Sequence, residues 1–394
     1  MIFFGNPKNK EKLVLVFDIG SSSVGGALFV AQKIGVPKII FSIREQISLE
    51  KELTFDKFLS LTLKSLEIVS NKICTAGQGV PEEIFCIFSS PWYASQTRSI
   101  IFRREENFSF NSKLINDLIS KEIDLFKEEC LEKYAHNKEE VLPIELRNMQ
   151  MLLNGYPVSI ASNQKAKEVE ITIFISMSTK EVLEKMKEVI GKHFYLSELK
   201  FHSFSLASFS IVRDLFAHQD DFLLIDIGGE ITDISMIKKD LICSSISFSL
   251  GKNFLIRGIS SVLDCSLTEA SSYISMYRDG HIEEKSFKKI EPVIKKLRNE
   301  WLSKFQEALV NISNDISIPS TIFLTVDEDM SNFFMETIKS EQFNQYTLTE
   351  SKFKVIFLGT QILTNLISFK ENTKRDSFIM IDVIYLNRLL YNKK

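Results

Sequence analysis

The chain of 394 residues is short of the side chains that build metal centres and disulfide frameworks. Its five cysteines, Cys74, Cys86, Cys130, Cys243 and Cys265, are scattered, and no pair has CxxC spacing. This excludes a zinc ribbon or a disulfide scaffold and predicts buried, reduced thiols. The five histidines show no ligand spacing, so they imply no metal centre. Net charge is only −3, which argues against nucleic acid as a partner. Neither a Gly-x-Ser-x-Gly element nor a Cys/His nucleophile arrangement is present, so no catalytic residue is assigned. No apolar run reaches the roughly 18 residues of a membrane-spanning helix. Met1 to Lys12 lacks the core of a signal peptide. The expected location is the cytoplasm, with any membrane contact peripheral, at the inner face.

What is present suits a large core. Hydrophobic residues make up 44% of the chain, and 32 residues are phenylalanine. The length predicts at least two domains. Leu13–Phe17 and Phe222–Ile225 are continuous apolar runs, read as strands buried on both faces. Helical spacing marks Phe55–Cys74, Asn111–Tyr134, Thr179–Ile190, Ser205–Phe216 and Glu291–Asn311. Asn154-Gly155 between two short apolar runs is a hairpin signal. Residues 91–167 read as a small α+β insert, with Val169–Met177 returning to the first domain. Arg103-Arg104 runs straight into Glu105-Glu106, a solvated strand end rather than an anion site. Trp92-Tyr93, at the start of the insert, reads as aromatic core or as an interaction surface.

The most informative feature is a repeat. Val14-Leu15-Val16-Phe17-Asp18-Ile19-Gly20 aligns with Phe222-Leu223-Leu224-Ile225-Asp226-Ile227-Gly228. Each copy opens one half of the chain and is followed by another strand. The separation is far beyond a solenoid period and fits one ancestral domain used twice. Turns made of Gly20, Ser21, Ser22 and Ser23, and of Gly228 and Gly229, can present backbone N–H groups to an anion. Asp18 and Asp226, at the strand ends, can hold Mg²⁺ through bound water. Two such turns facing each other would clamp a nucleotide.

At these residues the chain resembles the actin-like ATPases, most closely FtsA and PilM. Asp18–Val24 resembles the first phosphate motif, and Asp226–Asp233 the second. Thr268-Glu269-Ala270 and Gly280 resemble the stretch after the second motif, which adds Glu269 to the nucleotide-binding set. The insert stands where FtsA carries its SHS2 subdomain. The resemblance implies an α/β, duplicated actin/Hsp70-like (RNase H-like) two-lobed fold. Its divisions are 11–90 with 168–219 for the first lobe, 91–167 for the SHS2-type insert, and 220–394 for the second lobe with a C-terminal segment 377–394.

The departures point to a degraded nucleotide site. Glu230-Ile231 replaces the family's Gly-Thr, and Ile274 replaces a lysine. The adenosine motif, a strand followed by two glycines, reads Phe323-Leu324-Thr325-Val326-Asp327-Glu328-Asp329. A Glu230 carboxylate about 5 Å from a phosphate, at an effective dielectric of about 20, would repel it by roughly 3 kcal/mol. The expected binding of Mg-ATP is therefore weak or absent. The resemblance implies an FtsA-like scaffold that docks a tubulin-like division protein and self-assembles into a homopolymer. The alternative is a PilM-like platform component that binds a peptide of a pilus membrane protein; a sugar-kinase-like phosphotransferase ranks below both. FtsA ends in an amphipathic membrane-binding helix and PilM does not. Phe378–Tyr391 is apolar nearly all round, which predicts packing, here expected on the second lobe, rather than a surface-lying helix.

Overall fold

The computed structural model describes residues 11–134, 140–158, 164–195, 198–279, 281, 283–313, 317–340 and 352–391. The chain opens with the strands β1 (Lys12–Ile19), β2 (Ser23–Ala31) and β3 (Lys38–Gln46). After α1 (Phe55–Thr75), capped by Thr54, comes β4 (Glu83–Phe88), parallel to β1. The last six residues of β1 are all buried, as a strand covered on both faces should be.

The insert follows: β5 (Ala94–Phe110), α2 (Ser112–Tyr134), β6 (Val141–Leu153), β7 (Tyr156–Pro157) and β8 (Gln164–Thr179). They form an antiparallel sheet in the order β5-β8-β6-β7. The hairpin turn lies at Asn154 and Gly155, which take φ values of 48° and 82°, the left-handed pair such a turn requires. The expected strand beyond it ends at Pro157, and residues 159–160 lie outside the described residues. Val169–Met177 does not return to the first lobe. It continues β8, paired with β5 on one side and β6 on the other.

The chain then re-enters the first lobe through α3 (Lys180–Gly191), β9 (Leu199–Ser203) and α4 (Phe204–Leu215). The second half repeats the opening with β10 (Phe222–Ile227), β11 (Thr232–Lys238) and β12 (Leu241–Phe248). Next come α5 (Lys252–Leu263), α6 (Leu267–Arg278), α7 (Glu284–Ser313), β13 (Thr321–Val326), α8 (Ser331–Lys339) and β14 (Lys354–Phe357). The second sheet runs β12-β11-β10-β13-β14. Helix α7 starts seven residues before the expected Glu291 and carries Pro292 inside it.

The C-terminus corrects an expectation. After α9 (Thr360–Leu363), β15 (Ser368–Phe369) pairs in parallel with β3, which completes a first sheet ordered β15-β3-β2-β1-β4-β9. Helix α10 (Ser377–Tyr391) then packs on that lobe, not on the second. Every residue from Ile379 to Asn387 is buried. Ile379, Val383 and Leu386 share one core cluster with Val14 and Phe29 of the first sheet. That cluster also holds Phe222 and Phe323 of the second sheet, so the two lobes are joined by continuous apolar packing.

Candidate functional site

Both repeat copies form the same local structure. Asp18 is the penultimate residue of β1 and Asp226 that of β10. Each strand pairs antiparallel with the next and parallel with a later one, so Asp18 lies opposite Gly25 and Ile87, and Asp226 opposite Asp233 and Thr325. The turns close identically: Gly20 N–H donates to Ser23 O at 3.1 Å and Gly228 N–H to Ile231 O at 2.9 Å.

The turns face each other and touch. Ser21 Oγ accepts the Glu230 backbone N–H at 3.2 Å. A Cβ on Gly228 would lie 2.5 Å from Ser21 Oγ, and one on Gly229 2.7 Å from the Ser21 carbonyl oxygen. Only glycine permits this approach. Asp18, Gly20, Ser21, Ser22, Ser23, Asp226 and Gly228 line one cavity between the lobes, with Gly229 at its edge. Its volume is about 20 Å³. That is room for about one water, whereas small-molecule sites start near roughly 300 Å³. Glu269 is elsewhere: it caps α6, where its carboxylate accepts the Ser266 N–H and hydroxyl at 2.8 and 2.7 Å. Gly280 lies outside the described residues.

Three charged residues not singled out in the sequence complete the site. Arg44 of β3 donates to Asp18 Oδ2 at 2.6 Å and to Asp376 Oδ2 at 2.5 Å. Lys252, the first residue of α5, pairs with Asp327 of the former adenosine motif. Glu230 does not face a phosphate position as expected. Its carboxylate turns to Arg257 at 2.6 Å and to Asn253 at 2.8 Å. Burial pushes Asp226 well above the ordinary carboxylate value, and the Asp233 and Asp18 charges add to it, against one hydrogen bond from Thr325. Burial also raises Asp18, although Arg44 pulls it down. Among the described residues no cluster of three or more His, Cys, Asp or Glu side chains could hold a metal ion. With one aspartate on a guanidinium and the other favouring its proton, the pair does not fit Mg-ATP as arranged.

The N-terminus of α5 is fitted tightly onto the second turn. Lys252 and Asn253 donate their N–H groups to the Gly228 and Gly229 carbonyls, both at 2.9 Å. A Cβ on Gly251 would stand 2.4 Å from each of those oxygens. Gly251→Ala is therefore expected to lower stability by about 1–3 kcal/mol through overpacking. A denaturant melt matching wild type would show that this contact is looser than described.

Beside the closed cleft lies a groove of about 610 Å³ between the insert, the first lobe and β11–β12. Phe55, Trp92, Tyr93, Phe126, Met177 and Ile246 supply its apolar walls, and serines 95, 178, 245 and 247 supply hydroxyls. Glu129 and Asp233 also line it, and among the described residues no lysine or arginine does. Trp92 is both core and wall. Its ring is 4.8 Å from that of Phe58, and its Nε1–H donates to Gly20 O at 3.1 Å, reaching the first turn. Asp233 accepts a hydrogen bond from Ser90 at 2.9 Å and another from Ser247, tying the lobes together beneath the groove.

No protein-family model matches this sequence, and no curated protein matches it. Solved structures do. A structure described as the PilM-PilN type IV pilus biogenesis complex aligns over 97% of this chain and 98% of its own, with a TM-score of 0.58 at 12% identity. The chain has the actin-like ATPase fold. MreB 5 of Spiroplasma citri, solved bound to AMPPNP, aligns over 97% of the chain at 8% identity, with a TM-score of 0.45. The ethanolamine utilization protein EutJ of Carboxydothermus hydrogenoformans aligns over 98% at 10% identity, with a TM-score of 0.43. In this chain the cavity between the two turns is only about 20 Å³.

Proposed function

We propose that this actin-like chain is a scaffold that does not turn over nucleotide, and that it binds an extended peptide segment of a partner protein, as a PilM-type component of a pilus or secretion platform. The observation that carries this reading is the contrast of volumes. The cleft holds about 20 Å³ and the neighbouring groove about 610 Å³. The groove is lined in part by β5 and β12, strands that each end a sheet. An edge strand offers main-chain hydrogen bonds to an added peptide, and the aromatic walls offer pockets for its side chains. With acids and no bases in the described lining, the groove favours apolar segments that are neutral or basic. Support also comes from PilM, which was solved in complex with PilN. The division-scaffold reading, with a tubulin-like partner and a membrane-bound tail, draws less support, because the segment that would have served as the tail is the buried α10.

Peptides selected by display against the full chain test the reading. Ser95→Trp with Ser245→Trp, both in the groove lining, should fill the groove and leave the fold intact. Selected peptides are expected to lose at least about tenfold in affinity for this variant, a difference of about 1.4 kcal/mol. Peptides that bind both proteins equally would move the binding surface elsewhere.

A further inference from the structure

Arg44 lines the small cavity on the side of the first turn. Its guanidinium makes four hydrogen bonds: to Asp18 Oδ2 at 2.6 Å, Ser23 Oγ at 2.9 Å, Asp376 Oδ2 at 2.5 Å and Asp376 Oδ1 at 2.9 Å. Asp376 also accepts the Ile379 N–H at 3.1 Å, so the same carboxylate caps α10. The Phe378 ring lies 5.4 Å from the guanidinium carbon, and Phe378 closes the cavity on that side. On β2 the path is bare: a Cβ on Gly25 would lie 2.7 Å from Arg44 Nη2. The Arg44 side chain is 10% exposed, and those of Asp18 and Asp376 are 3% and 11%.

We propose that Arg44 is an internal clasp of the first lobe, a fixed cation held between Asp18 and Asp376 that occupies the first turn without a nucleotide and ties that turn to the C-terminal helix. The proposal holds whether or not the groove binds a peptide. Arginine suits the position because its planar fork can bond two carboxylates and a hydroxyl at once, and because it stays charged when buried. The two carboxylates in turn hold its charge in place. The contacts that join the two lobes are made by other residues. Ser21 meets Glu230 across the cleft, and Arg257 of α5 reaches the Glu50 carbonyl of the first lobe at 2.8 Å while holding Glu230.

Amide hydrogen exchange on the full chain tests this. Wild type is expected to show the same exchange in both turns with and without millimolar Mg-ATP. In Arg44→Gln, the turn at 20–23 and the first turn of α10 are expected to exchange at least about tenfold faster, with the insert sheet unchanged. Arg44→Lys is expected to fall between the two. Because Arg44→Gln strands two buried carboxylates, a companion variant, Asp18→Asn/Arg44→Gln/Asp376→Asn, removes all the charges together and is expected to show the same loosened turns. Protection of the wild-type turns by Mg-ATP would overturn the proposal without any variant. So would a folded Arg44→Gln or companion variant in which the turn at 20–23 and the first turn of α10 exchange like wild type.

Discussion

Glu145→Ala is expected to cost about 3–5 kcal/mol of stability, because it removes a buried charge on which three parts of the molecule converge. Glu145 lies on β6 just after a bulge between Pro143 and Glu145, which re-aims the strand toward the first sheet. Its side chain is 2% exposed. One oxygen meets His202 Nδ1 at 2.7 Å and the Tyr385 hydroxyl at 2.6 Å. The other accepts the Ser203 N–H at 3.1 Å and the Ser203 hydroxyl at 2.8 Å. Insert, first sheet and C-terminal helix thus meet at one carboxylate, which also stands at the N-terminus of α4, where a negative charge is favoured. Burial works against the charge, but His202, Tyr385 and Ser203 outweigh it and hold Glu145 below its ordinary value of 4.5. A depressed acid stabilises the fold above its unfolded value, and that stability is lost as pH falls through the folded value. The gap between wild type and Glu145→Ala in urea melts should therefore be widest near neutrality and narrow in acid, below about pH 4.5. A gap independent of pH would mean that packing, not the charge, is what the alanine removes.

How far the sequence could be read depended on the range of the interactions involved. The two turns were legible because each is a local signal, a buried strand ended by Asp and Gly, and the second copy lends weight to the first. Asn154-Gly155 was legible for the same reason, since a positive φ at both residues is a property of the dipeptide. Arg44 carried no such signal. Its partner Asp376 is 332 residues away, and nothing near either residue marks the pairing. Glu230 was misjudged by a similar route. Read beside the turn, it faced a phosphate, but Arg257, in the second turn of α5, draws it aside. The all-round apolar pattern of Phe378–Tyr391 implied a last helix or strand buried by packing, and the segment is a buried helix. It could not say against which lobe, because both sheets present similar apolar faces to the same core. Val169–Met177 shows the same limit for strands, since its alternation suits either sheet and the pairing is decided by β5 and β6 on its two flanks.

Asp382 gives an expected effect of the opposite sign. It lies in the middle of α10, fully buried, and among the described residues neither carboxylate oxygen has a hydrogen-bond partner. Burial pushes it well above its ordinary value of 3.8, and the Asp18 and Asp376 charges push further, against the pull of Arg44. A raised acid binds its proton more tightly in the folded state than in the unfolded one. Its contribution is therefore full below the unfolded value and is lost as pH rises toward the folded value. Asp382→Asn, which keeps the shape and cannot ionise, is expected to match wild type near pH 4 and to become the more stable protein as pH rises, by about 1–3 kcal/mol near neutrality. Asp382→Leu also removes the unpaired polar atoms and should gain about 1–4 kcal/mol. Urea melts of the three proteins across that pH range decide the matter. An asparagine variant that loses stability at every pH would show that the Asp382 carboxyl is held by a favourable contact rather than tolerated beside the Arg44 clasp.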